Sequence, residues 1–219
     1  MTVSARLSNV ADADNGQPFD IAKLADDAAR VIEMLGIERA NVLGWSMGGF
    51  IAQTLALQEP ASINKLILLS TDPGGSDADR ASAAVWSKLI DMSGTPRQQA
   101  RRLLSLLFPS DVAESIYREF SDIVETARAQ LSPDLVNRQV AAMDGWHRIG
   151  IGNRLRQMNV PVLIATGTAD IVIPSSNALK LANAIPGAWL AQFNGGGHAF
   201  MYQYPRPLAD LINNFLELG

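Results

Sequence analysis

The chain has 219 residues, 47% of them hydrophobic and 18% charged, with a formal net charge of −4. That is one domain of ordinary size, able to bury a core without staples. It has no cysteine, which excludes disulfides, thiolate metal sites and a cysteine nucleophile. No apolar run approaches the length of a membrane span, and no Lys/Arg cluster has the size of a nucleic-acid footprint; Arg101-Arg102 is the densest basic point. The first residues lack the apolar centre of a signal peptide, so a cytoplasmic location is expected.

Residues 1 to 19 are small and polar, with Thr2 to Leu7 able to form a short edge strand. Asp20 is a good N-cap for a helix to about Leu35, where Ile21, Leu24, Ala25, Ala28, Val31 and Ile32 recur at helical spacing and Gly36 supplies a stop. A short strand through Val42 and Leu43 then runs into Gly44-Trp45-Ser46-Met47-Gly48-Gly49. A helix to about Gln58 and an apolar strand over Ile63 to Ser70 follow, ending at Thr71-Asp72-Pro73. Helix, strand, helix, strand in this order argues for a parallel α/β sheet.

From Ser76 to about Met158 the periodicity is helical only, with helices near 77–92, 96–107, 111–130 and 133–147. Thr95 and Ser132 each precede a proline, the N-cap then N1 arrangement. Such a block is too long for a simple crossover and reads as a cap. The domain division is therefore a core of residues 1–75 and 159–219 with a helical cap over 76–158. The sheet resumes at Val160 to Gly167, a helix follows over Ser175 to Ala184, and Ala188 to Phe193 is the last strand. A helix over Arg206 to Leu218 closes the chain. The expected fold is α/β, a mostly parallel sheet of four or five strands flanked by helices, with the cap inserted.

Functional residues of parallel α/β sheets gather at the carboxyl ends of strands. Ser46, Asp170 and His198 all fall at such ends. A serine hydroxyl needs an imidazole to take its proton, and the imidazole needs a carboxylate to fix its tautomer. Asp72 is the competing acid, with a turn-forming Asp-Pro as its simpler role. His147, beside Trp146 in the helical block, is expected on the surface or in packing, with substrate contact as the alternative.

Three stretches, GWSMGG, ATGTADIVIP and GGGHAF, resemble motifs of the α/β-hydrolase superfamily, in particular its cap-bearing esterase-like members. The resemblance covers nearly the whole chain from the Asp20 helix onward. It implies Ser46 as nucleophile, His198 as general base and acid, Asp170 as orienting acid and the Met47 backbone N–H as oxyanion donor. It also implies a serine hydrolase acting on a carboxylic ester or similar small acyl substrate, without cofactor or metal. Trp45, Met47, Trp86, Trp146, Phe200 and Met201 are candidates for the acyl pocket, with core packing the default for each. Perhydrolase and C–C bond hydrolysis use the same triad.

The chain departs from the family before the Asp20 helix, where the usual strands and the loop bearing a second oxyanion donor have no counterpart. Two expectations follow. The strand before Ser46 is an exposed edge, covered by Thr2 to Leu7 or by a second copy of the chain. The alternative function is a catalytically impaired fold that binds a ligand or mediates assembly.

Overall fold

The computed structural model describes residues 19 to 218. The elements in chain order are α1 (Ile21–Met34), β1 (Ala40–Trp45), α2 (Met47–Gln58), β2 (Ile63–Leu69), α3 (Ala83–Ile90), α4 (Pro96–Leu107), α5 (Ser110–Gln130), α6 (Pro133–Ile149), β3 (Val162–Gly167), α7 (Ser176–Ala184), β4 (Trp189–Phe193) and α8 (Pro205–Glu217). The four strands pair in the order β1-β2-β3-β4, every pair parallel. Gly44 lies opposite Leu68, and Leu69 opposite Ala165. The strand ends that follow these residues therefore share one rim of the sheet.

The two inner strands are buried along almost their whole length, as strands covered on both faces must be. Their side chains alternate between two cores. Leu66, Leu68, Val162 and Ile164 pack with α1, α2 and α7, whereas Ile67, Leu69, Leu163 and Ala165 pack with Leu208 and Phe215 of α8. Helix α2 lies against the sheet with every residue from Gly49 to Ala56 buried, which explains its lack of a polar face.

Lys65 interrupts the apolar run of β2 and is itself buried. Its ammonium donates to the carbonyls of Phe215 (2.8 Å) and Leu216 (2.9 Å) and to that of Leu218. A helix C-terminus presents unpaired carbonyls and partial negative charge, so one cation there satisfies several acceptors at once. Lys65 thus fastens α8 to the sheet.

The helical block departs from expectation at its start. Where one helix over 77–92 is expected, a short 3-10 turn (Gly75–Asp77) leads into an irregular stretch, and α3 begins only at Ala83, capped by the Ser82 hydroxyl. The cause is tertiary. Asn177 accepts from the Asp79 N–H (2.8 Å) and donates to the Asp79 carbonyl (2.8 Å), replacing bonds a helix would make. The Thr95 and Ser132 caps form as expected, and Thr95 closes a full capping box with Gln98. Helices α4 and α5 pair through Leu104, Phe108 and Tyr117, and this cluster reaches Ala199 beside His198.

Among the described residues β1 pairs only with β2, and Leu43 on it is half exposed. The expected cover from Thr2 to Leu7 lies outside the described residues. No helix among the described residues is long and apolar enough to cross a membrane.

Candidate active site

Ser46 occupies the single residue between β1 and α2, at φ 54° and ψ −125°. A non-glycine residue in that region is strained, and the turn is held by bonds on both sides. The Ser46 N–H donates to the Leu69 carbonyl (3.0 Å), and the Thr71 hydroxyl donates to the Ser46 carbonyl (3.0 Å). The Ser46 side chain makes no capping bond to α2. Two glycines make the corner possible: a Cβ on Gly44 would overlap the Gly48 carbonyl, and one on Gly49 would overlap Thr71. Gly48, between them, faces open space, so the close approaches fall on Gly44 and Gly49.

Asp170 follows the end of β3 and is buried. Its Oδ1 accepts from the Val172 and Ile173 N–H groups, both at 2.9 Å. Its Oδ2 faces His198 Nδ1 at 2.8 Å, both side chains being almost fully buried. Two backbone donors on one oxygen fix the carboxylate plane and aim the other oxygen at the imidazole. The His198 loop is braced in turn. The Ala169 N–H donates to Gly196 O (2.8 Å), the Gly197 N–H to Gln203 Oε1 (2.8 Å) and the Ala199 N–H to Leu107 O (3.1 Å). Trp45, the residue before Ser46, donates its indole N–H to His198 O at 2.9 Å. The structure thus joins Asp170 to His198 and holds His198 against the strand that delivers Ser46.

Ser46 opens into a cavity of about 460 Å³ between the rim of the sheet and the helical block. The sheet side supplies Phe50, Asp72, Val172 and Ile173, and the block supplies Trp86, Leu89, Met143 and His147. Arg80 lies at the same cavity, paired to Asp144 (3.1 Å) with its guanidinium over the Trp86 ring. Asp79 also borders it. The Lys180 ammonium (2.7 Å) and the Ser176 hydroxyl (2.6 Å) hold the Asp79 carboxyl below the usual carboxylate range.

Of the aromatic residues expected to line the pocket, only Trp86 does. Trp45 faces the other side of the sheet end and braces His198, Phe200 is wholly buried against Phe193, and Met201 packs among the same side chains. Trp146 is buried in a stack on Phe50, with centroids 4.9 Å apart. These side chains belong to the support of the site, not to its wall.

Asp72 differs from expectation, and His147 takes the packed of its two expected places. Asp72 is no simple turn residue: its Oδ1 accepts from the Gly74 N–H (2.8 Å) and the Trp146 indole (3.0 Å), and its Oδ2 faces His147 Nε2 at 3.1 Å. His147 is therefore a buried partner of a strand-end carboxylate rather than a surface residue, and its side chain is only 9% exposed. Asp72 makes no bond to His198; that histidine is taken by Asp170. A sequence signal for the second pair existed. The chain has two histidines and two aspartates just beyond strand ends, and each histidine takes one of the aspartates.

Comparison with known proteins agrees with this architecture. The model of the alpha/beta hydrolase fold family matches residues 6–205. A candidate carbamate hydrolase, RutD of Azorhizobium caulinodans, is 30% identical over 90% of this chain and 74% of its own length. A 2-hydroxy-6-oxononadienedioate/2-hydroxy-6-oxononatrienedioate hydrolase of Pseudomonas putida is 26% identical over 85% of this chain and 66% of its own. The solved meta-cleavage product hydrolase of Pseudomonas fluorescens superposes with a TM-score of 0.80 at 18% identity, over 94% of this chain and 74% of that one. With a parallel sheet flanked by helices and a family match that spans most of its length, the chain belongs to the α/β hydrolase fold family.

Proposed function

We propose that the chain is a serine hydrolase that cleaves a carboxylic ester or similar acyl substrate through an acyl-enzyme. The observation that carries this reading is the buried His198–Asp170 pair, 2.8 Å apart, held beside the strained Ser46 turn. With Nδ1 engaged by Asp170, His198 has Nε2 left to take the Ser46 proton as Oγ attacks the carbonyl carbon. The negative oxygen of the tetrahedral intermediate lies where α2 begins, and the Met47 N–H donates to it with the helix N-terminus behind it. Collapse breaks the carbonyl–leaving-group bond, and His198 returns the proton to the departing oxygen or nitrogen. Water then enters, His198 takes one of its protons as the oxygen adds to the acyl carbon, and the bond to Ser46 breaks as His198 returns that proton to Oγ, releasing the acid.

The cavity fits this chemistry. A volume of about 460 Å³ with mostly apolar walls suits a small or medium acyl group, with the helical cap limiting water. The carbamate named for the RutD relative is an acyl compound of the same reactive type. A fluorophosphonate probe tests the reading by peptide mapping. We expect covalent labelling at Ser46 that is lost in Ser46→Ala, and a folded chain that takes no label overturns it.

A further inference from the structure

The pocket that Ser46 enters is lined by an imidazole outside the His198–Asp170 pair. His147 lines it, from α6 of the helical block, and is fixed there by Asp72 from the end of β2. Asp72 receives N–H donors from Gly74 and Trp146 on Oδ1, the behaviour of a carboxylate, which accepts and does not donate. The bond at Oδ2 must then be a donation from His147 Nε2–H. In a neutral imidazole that leaves Nδ1 as an unprotonated acceptor. His147 Nδ1 is buried and has no hydrogen-bond partner among the described residues. The Phe50 ring, edge-on at 5.7 Å, supplies none.

A buried acceptor without a donor is destabilising, and here it sits in a side chain whose other nitrogen is locked in place. His147 lines the cavity while Nδ1 itself is covered, so a substrate donor reaches it once the side chains around the imidazole shift to admit it. We propose that His147 is a specificity-determining residue that accepts a hydrogen bond from an O–H or N–H group of the substrate, and that Asp72 is the positioning residue that sets its tautomer. The substrate class this selects is an ester or related acyl compound carrying a hydroxyl or amide N–H away from the scissile bond. A carboxylate or ether oxygen at the same place would meet a lone pair and be disfavoured. The inference rests on Ser46 being the nucleophile, but it assigns a property that the triad alone does not determine.

The test compares matched substrates on the whole chain. One pair differs on the acyl side, para-nitrophenyl butanoate against its β-hydroxybutanoate counterpart. The other differs on the leaving side, ethyl butanoate against the monobutanoate of ethylene glycol. The readout is the ratio of kcat/KM within each pair, so a general loss of activity does not enter. We expect the hydroxylated member of at least one pair to be favoured by about tenfold, the size of one good hydrogen bond.

His147→Gln keeps a donor able to reach Asp72 but has no acceptor at the Nδ1 position, and the ratio should fall to about one. Asp72→Asn, checked for folding by circular dichroism, can present a donor to Nε2 and so put the imidazole proton on Nδ1, with the same loss of preference. A wild-type ratio near one in both pairs, or a wild-type ratio kept in His147→Gln, overturns the proposal. A ratio kept in Asp72→Asn overturns the positioning role of Asp72. Phosphonate labelling of Ser46 in the same samples reports separately on the nucleophile.

Discussion

The indole of Trp45 donates to the carbonyl of His198 at 2.9 Å, across 153 positions of sequence. The strand that carries the serine therefore also holds the loop that carries the histidine. Trp45→Phe keeps the ring and removes only the donor. We expect it to lower stability by about 1 kcal/mol, the usual cost of one hydrogen bond, and kcat by several-fold as the His198 loop loosens. Denaturant melts and steady-state kinetics check the two effects separately.

Asp170→Asn tests the buried pair. An amide in place of the carboxylate leaves the shape but offers the wrong hydrogen-bonding pattern to His198 Nδ1. On the proposed mechanism kcat should fall on the order of 10³–10⁴-fold, with phosphonate labelling of Ser46 slowed in parallel. Asp72→Asn should fall far short of that on plain esters, because Asp72 serves the other histidine. Equal losses in the two variants would remove the distinction drawn between the two aspartates.

Gly49→Ala tests the corner beneath Ser46. The added methyl must displace Thr71, whose hydroxyl supports the Ser46 carbonyl. Overpacking of this kind costs about 1–3 kcal/mol. Gly48→Ala meets open space and should leave stability nearly unchanged. Urea midpoints of the two variants compare neighbouring positions in one motif.

The depressed titration of Asp79 carries a sign. Its carboxyl, bonded by Lys180 and Ser176, titrates below its ordinary value of 3.8 in the folded chain. The stabilisation is therefore present above the unfolded value and is lost as pH falls through the folded one. Asp79→Asn should melt a degree or two below wild type at neutral pH, the small size reflecting solvent exposure, and the gap should close below about pH 4. A gap that stays constant with pH would assign the effect to packing.

Much of the site was legible because its chemistry is local. Gly44 to Gly49 is one turn, and Asp170 and His198 each follow an apolar strand closely. The order of strands and helices could be read for the same reason. What escaped was set by contacts between distant segments. Nothing near Asp79 announces that Asn177 will take its backbone bonds and delay α3 to Ala83. His147 reads equally as a surface or a packed residue until Asp72, 75 positions away, is found against it. Trp45, Trp146 and Phe200 are aromatic residues near the site, and sequence alone does not distinguish a wall from the support behind it.

Lys65→Met tests the one charge in the inner strands. The substitution keeps volume but leaves the α8 carbonyls without their cation. It should destabilise by about 1–3 kcal/mol, seen first as faster amide exchange in α8.

Both histidines of the chain sit on buried aspartates, one on the core and one on the helical block. Their imidazole N–H protons are shielded from water and bound to carboxylates, the conditions under which such protons exchange slowly enough to be seen by NMR. With two histidines in the chain, the imidazole N–H signals are two reporters. One follows the integrity of the hydrolytic pair and the other the seating of the helices above it, so lifting of the block from the sheet could be timed apart from events at the serine.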